Sequence, residues 1–305
     1  MPHKDQPSTH SECYSQSRRR FPSWLRQSLP KGKEALETKR LINDAELNTV
    51  CEEAKCPNRS KCWSRRTATV LIMGKECTRN CAFCDIAFSK TPAPLDEQEP
   101  ERIAQLVKEL SLQHVVITMV TRDDLPDQGA SHIRRVIDTV RQKNSHTTIE
   151  VLTSDFLGNP YAINIVLEAQ PEIFNHNIET VEELSPRIRH KASYSRSLWV
   201  LQYAKTYNSN NLVKSGIMVG LGENEDQVKA TIKDLSNVGC DIVTIGQYLQ
   251  ASNSKIRVKS FVTPEQFKTY EDYGYFLGIK HMHCGPFVRS SYNADLIMQE
   301  HMRTP

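Results

Sequence analysis

Apolar residues recur in two rhythms along this chain, and the switching between them predicts its elements. Short runs rich in aliphatic and β-branched residues ("ATVLIM", "HVVITM", "TIEVLT", "IFNHN", "SGIMVGLG", "DIVTIGQYL") read as strands, mostly buried on both faces. Between them the period lengthens to that of a helix. In "PERIAQLVKELSL", Ile103, Leu106, Val107 and Leu110 fall at i, i+3, i+4 and i+7, with Pro100 placed to open the helix. In "NEDQVKATIKDLSNVG", Asn224 and Gln227 make a capping pair, Val228, Ile232 and Leu235 a stripe, and Gly239 a stop. Strand–helix repetition of this kind implies parallel strands joined by right-handed crossovers. About six such units fall short of a closed eight-fold barrel. The expected fold is therefore α/β, a partial (βα)6 TIM-like barrel.

The flanks differ from this body. Residues 1–20 contain no Leu, Ile, Val or Phe and are expected to form a disordered tail. Residues 21–66 read as an N-terminal extension, 67–284 as the barrel and 285–305 as a C-terminal segment, with both extensions expected to cover the barrel mouth. No low-complexity insert or short-period repeat interrupts the pattern.

Composition narrows the function classes. The 305 residues are 38% hydrophobic and 25% charged, with a net charge of +3. That charge is too small to argue for a nucleic-acid or membrane partner, and the longest apolar runs are strand-sized. With no apolar stretch after the first methionine, the cytoplasm is the expected compartment, while "SRRR" at 17–20 leaves the mitochondrial matrix open.

Cysteine is the informative residue. Nine cysteines are present, and Cys51, Cys56, Cys62, Cys77, Cys81 and Cys84 crowd into one short region. The count is odd and the chain is not a short secreted one, so metal outranks disulfides. Cys77, Cys81 and Cys84, spaced C-x3-C-x2-C, follow the first strand. They lie on a loop at its carboxyl end, where such barrels keep their chemistry. Three thiolates on one tight loop match three corners of a cubane iron–sulfur cluster, leaving the fourth iron free for a cofactor or substrate. A structural zinc site would want four ligands, usually as two separated pairs. Phe83, between two of these cysteines, is expected to stack on whatever the open iron holds. Cys51, Cys56 and Cys62 form a second triplet, again without an obvious fourth member.

"CEEAKCPNRSKCW", "MGKECTRNCAFCDIA" and "GPFVRSSY", in that order, resemble lipoyl synthases, a family of radical S-adenosylmethionine enzymes. The resemblance runs from about residue 21 to about 297, also taking in "FNHNIETV", "KSGIMVGLGE" and "TIGQYLQ". It implies two 4Fe-4S clusters and S-adenosyl-L-methionine as co-substrate. The Cys77/Cys81/Cys84 cluster would bind and cleave S-adenosylmethionine, giving a radical that takes hydrogen from an octanoyl chain. The Cys51/Cys56/Cys62 cluster, completed by a serine of "RSSY", would supply sulfur to carbons 6 and 8. Ser291 is chosen over Ser290 for that ligand, with little physical ground between them. Arg289 and Tyr292 would position the tail.

Around the cofactor the resemblance points to Asp123, Asn175, Asn177, Arg189 and Gln247. Asn175 and Asn177 would bond the ribose, and the planar fork of Arg189 suits a carboxylate. Thr121 and Gln128 depart from the family's pattern, where aspartate and glycine are common. His176, His281 and His283 read as loop histidines with their bonds satisfied. Implied partners are octanoylated lipoyl carrier domains (2-oxoacid dehydrogenase E2 subunits and glycine cleavage H protein), an electron donor such as flavodoxin or ferredoxin, and an iron–sulfur carrier protein. The rival readings are a sulfur-inserting enzyme of the biotin synthase kind, which lacks the first triplet and "RSSY", and a non-catalytic iron–sulfur or zinc scaffold.

Overall fold

Strand follows helix through most of the computed structural model, which describes residues 21–27, 32–208 and 211–303. The tail expected over 1–20 lies outside those residues. The strands are β1 (Asn48–Thr49), β2 (Thr69–Ile72), β3 (Glu76–Cys77), β4 (Ala87–Phe88), β5 (His114–Met119), β6 (Thr148–Leu152), β7 (Ile173–Asn175), β8 (Leu212–Val219), β9 (Ile242–Gln247) and β10 (His281–Gly285). The helices are α1 (Glu34–Asp44), α2 (Val50–Glu53), α3 (Arg59–Ser64), α4 (Glu99–Leu110), α5 (Ala130–Lys143), α6 (Pro160–Glu168), α7 (Ser185–Ile188), α8 (Tyr194–Tyr207), α9 (Glu225–Asn237), α10 (Pro264–Phe276) and α11 (Ala294–Arg303).

One sheet runs β1-β2-β5-β6-β7-β8-β9-β10. Its strands follow sequence order, and every pair is parallel except β1 with β2. Strands placed side by side in order, each return made through a helix, are the winding of a barrel; β1 and β10 are its two ends. All six predicted strands are present. The seventh parallel strand, β10, is an addition. Its sequence "HMHCG" buries only Met282, so it offers no apolar run to read.

The predicted helix signals act as expected. Ile103, Leu106, Val107 and Leu110 are all buried on α4, with Glu99 and Pro100 in its first turn. Asn224 and Gln227 form a reciprocal capping box on α9, and Gly239 closes it with φ at +83°.

Only the last helix of the C-terminal segment departs from the expectation that the segment covers the mouth. On α11, Ile297 and Met298 pack against Ile173, Leu212 and Ile242, the first residues of β7, β8 and β9. The last helix therefore closes the amino ends of these strands, opposite the carboxyl ends where the cysteine loop emerges.

Candidate active site

The C-x3-C-x2-C loop leaves β2 through two successive left-handed residues, Met73 (φ +68°) and Gly74 (φ +90°). Its ends are joined where β3 pairs with β4, and the Ser89 amide donates to the Cys77 carbonyl at 3.0 Å. The middle of the loop is strapped on both sides. The Ala82 amide donates to the Ile188 carbonyl at 2.9 Å, and the Ile256 amide donates to the Ala82 carbonyl at 3.1 Å.

A buried ionic web holds the loop against the neighbouring strand ends. Arg79, inside "CTRNC", makes a bidentate pair with Asp123 (2.9 and 2.8 Å) and also reaches Asp155 at 2.7 Å. Arg196 binds the other Asp155 oxygen at 2.7 Å. Burial alone would raise the Asp155 carboxyl, but Arg79, with help from Arg196, outweighs it and holds the group well below the carboxylate range. The amides of Arg79 and Thr121 both point at Cys77 Sγ, at 3.4 and 3.3 Å, the kind of hydrogen bonding that tunes cluster thiolates. Burial pushes the Cys84 thiol up to about 12, and that of Cys81 in the same direction.

The second triplet meets the C-terminal segment. Cys51, Cys56, Cys62 and Ser291 line one cleft, together with Arg289, Tyr292, Thr69 and His114. The cleft's two sides are sewn together. Asn58 Nδ2 donates to the Phe287 carbonyl at 2.6 Å, Lys61 Nζ to the Tyr292 hydroxyl at 2.7 Å, and Arg65 to Asn293 at 2.6 Å. These bonds join an element on the β2 side of the sheet to the chain just after β10, so the gap between the sheet's two ends is where this cleft sits. Burial raises the Cys51 thiol to about 11 and the Cys62 thiol to about 12, with the facing cysteines adding to both.

Among the described residues, no three His, Cys, Asp or Glu side chains converge closely enough to hold a single metal ion. A cubane asks for something else: its corners stand farther apart than ligands on one tetrahedral ion, and each thiol gives up its proton on binding.

The other predicted residues separate into two groups. Asn177 Nδ2 donates to Ser290 Oγ at 3.2 Å, which links the β7 end to "RSSY" and occupies Ser290 rather than Ser291. Arg189 donates to Ser197 Oγ at 2.8 Å and lies near Glu179. Phe83 packs beside Ile188, Leu221 and Tyr248. These three border the site. Asp123, Asn175 and Gln247 are already committed: Asp123 to Arg79, Asn175 to Glu150 at 2.6 Å, and Gln247 to four backbone groups. His176 is fully bonded, as expected, through the Thr153 carbonyl and Ser197.

Sequence reasoning did not find Glu179. It is half-buried with φ at +68°, near Cys81 and Cys84 on one side and Arg289 on the other. Burial raises its carboxyl, against the pull of Arg189. Arg79 was missed too, although its place between two cysteines was a legible signal.

Comparisons with known proteins agree with this geometry. Residues 71–235 match the family model of the Radical SAM superfamily, and residues 4–56 that of the N-terminal domain of lipoyl synthase. A lipoyl synthase from Protochlamydia amoebophila (strain UWE25) is 62% identical over 281 residues, covering 92% of this chain and 87% of the relative. One from Chlamydia trachomatis serovar D is 54% identical over 280 residues, covering 92% and 90%. Among solved structures, the FeFe-hydrogenase maturase HydG from Carboxydothermus hydrogenoformans matches with a TM-score of 0.54 at 14% identity, over 88% of this chain and 78% of that one. Methylornithine synthase matches with a TM-score of 0.52 at 15% identity, over 88% and 84%. At those identities the structural matches speak for the fold alone.

Proposed function

Because the chain belongs to the lipoyl synthase family, within the radical S-adenosylmethionine superfamily, we propose that it completes protein-bound lipoyl groups by inserting two sulfur atoms into an octanoyl-lysine. A biotin synthase-like activity is not favoured. The coarse fold is a parallel α/β sheet with radical SAM winding; we take it as a partial barrel over 67–284, with 21–66 and 285–305 as extensions bearing the second site. When bound, two cubane clusters and S-adenosylmethionine supply an electron, a hydrogen-atom abstractor and sulfide for carbons 6 and 8.

The chain's own part is to hold and orient. Cys77, Cys81 and Cys84 would hold one cluster, leaving one iron for S-adenosylmethionine. Cys51, Cys56, Cys62 and Ser291 would hold the other. The observation that supports this reading is the single cleft lined by Cys51, Cys56, Cys62 and Ser291. Ser290 is engaged by Asn177, which favours Ser291 as the ligand. A hard serine oxygen beside three soft thiolates releases its iron more readily than a fourth cysteine would, as a sacrificial cluster requires. Phe83, Asn177 and Arg189 would meet the cofactor, with Arg189 facing its carboxylate. Asp123 would act one step back through Arg79, and Asn175 and Gln247 as supports of their strands. No helix is long and apolar enough to cross a membrane among the described residues.

Anaerobically reconstituted protein should carry about eight irons and eight sulfides per chain, and the Cys56→Ala variant about four. Cys56→Ala should still release 5′-deoxyadenosine but give no lipoyl product on an octanoylated lipoyl domain, read by mass spectrometry. Cys81→Ala should release none. Lipoyl product from Cys56→Ala would overturn this division of labour.

A further inference from the structure

The octanoyl chain of such a substrate is fixed to a folded carrier domain, so the carrier's body must rest on the rim while the acyl-lysine arm reaches inward. The rim around the cysteine loop has a definite charge. Ala82, in the middle of that loop, is bonded on one side to Ile188 and on the other to Ile256. Ile188, Ile256 and Val258 point inward, packing in one apolar group with Phe83, Leu221 and Tyr248. The residues beside them point out. In "KIRVK" the alternation sends Ile256 and Val258 in and leaves Arg257 and Lys259 exposed; Arg187 and Lys191, flanking Ile188, are exposed likewise.

The segment is not free to turn over. Tyr248 donates its hydroxyl to the Ile256 carbonyl at 2.8 Å, and the Lys259 amide donates to the Gly220 carbonyl at 2.8 Å. None of Arg187, Lys191, Arg257 and Lys259 has an ion-pair partner among the described residues. Of the nearby acids, Asp85 is held by Lys55 and Ser252 and Glu223 caps the Gly220 and Leu221 amides, while Glu182 and Glu183 are exposed on the Arg187 side. Four exposed cations without an ion pair among the described residues thus stand on both sides of the loop that every substrate must approach, and Arg257 and Lys259 lie on the side away from Glu182 and Glu183.

We infer that Arg187, Lys191, Arg257 and Lys259 form the docking rim for the octanoylated carrier domain and recognise an acidic face on it. This rests on the function proposed above. Charges at a rim act over a distance set by salt, raising the encounter rate and orienting the partner while leaving the chemistry inside untouched.

Kinetics on two substrates test this: an octanoylated lipoyl domain, and a short uncharged peptide carrying octanoyl-lysine. Arg257→Glu with Lys259→Glu should raise KM for the domain about tenfold at low salt, with the gap closing as salt rises. Turnover of the peptide should be unchanged. Arg257→Gln with Lys259→Gln should give a smaller rise of the same kind, and charge reversal at Lys108 and Lys233, exposed on α4 and α9, should give none. An unchanged KM for the domain, or equal losses on domain and peptide, would overturn the docking rim. Absence of lipoyl product from the unaltered enzyme on both substrates would instead overturn the proposed function.

Discussion

Lys55 Nζ lies 2.6 Å from Asp85 Oδ2, joining the residue just before Cys56 to the residue just after Cys84. Ser252 holds the other Asp85 oxygen at 2.6 Å. Among the described residues the pair is the one ionic link between the two cysteine segments, and it fixes their relative position more than it stabilises the fold. Lys55 is 58% exposed, so the pair is worth well under about 1 kcal/mol. Lys55→Ala should leave the melting temperature nearly unchanged. It should lower the lipoyl product formed per 5′-deoxyadenosine released, and Lys55→Arg should restore much of that ratio. An unchanged ratio in Lys55→Ala would show that the segments keep their spacing without the pair.

How much of this was legible depended on whether a residue's role is local. The capping box of Asn224 and Gln227, the α4 stripe and the two cysteine triplets each declare themselves within a few positions. β10 does not. It is a strand because it pairs with β9, from His281 against Ile242 to Gly285 against Gly246, and no pattern in "HMHCG" anticipates that. Gly246 shows the same limit. A Cβ there would strike the Val288 carbonyl and Arg289, so its smallness makes room for the C-terminal segment, a contact that sequence spacing cannot reveal. Polar residues were hardest. Asn175 and Gln247 carry the chemistry of ligands, yet Glu150 had already taken the Asn175 amide nitrogen and the folded backbone both ends of Gln247.

The turn that launches the cysteine loop depends on a buried carboxylate. Glu99 accepts the Met73 amide with both oxygens, at 3.2 and 2.9 Å, and meets His132 Nε2 at 2.6 Å. Met73 is left-handed, and Gly129 gives it space, since a Cβ at Gly129 would press into the Met73 sulfur. Glu99→Ala leaves a buried amide and an imidazole without their partner, which should cost about 2–3 kcal/mol. Glu99→Gln keeps an acceptor for Met73 and should cost less. Urea denaturation orders the two; equal stability of Glu99→Ala and the parent would show that the turn holds itself.

Inside the sheet, Lys214 and Glu150 form a fully buried ion pair at 2.8 Å. Burial alone would raise the Glu150 carboxyl, but Lys214 and His114 outweigh it and keep it low. Removing one partner strands the other charge in a dry interior. Lys214→Met alone should therefore cost about 3–5 kcal/mol. Lys214→Met combined with Glu150→Gln should recover much of that loss, because no net charge remains buried. Strictly additive losses in this double-mutant cycle would argue that each side chain is held by other neighbours.

His176 predicts a pH dependence. Its Nδ1 donates to the Thr153 carbonyl at 2.9 Å, so Nε2 is left to accept from the Ser197 hydroxyl at 2.9 Å, and Ser197 Oγ in turn accepts from Arg189 at 2.8 Å. This chain has no place for a second proton. Burial, and then the positive charge of Arg189, lowers the imidazole pKa to about 4. In the unfolded chain the same group takes its proton near pH 6.5. Between those values the unfolded state binds more protons, so the contribution to stability is complete above 6.5 and drains away as pH falls toward 4. At about pH 5 the loss should reach about 2 kcal/mol relative to neutral pH. His176→Asn, which cannot take up a proton, should start less stable and lack that part of the acid sensitivity. Carboxylates titrate alike in both proteins and cancel in the comparison. Equal losses between neutral pH and about pH 5 would mean that the folded protein accommodates the imidazolium, and the bonding assigned from Arg189 to Thr153 would have to be redrawn.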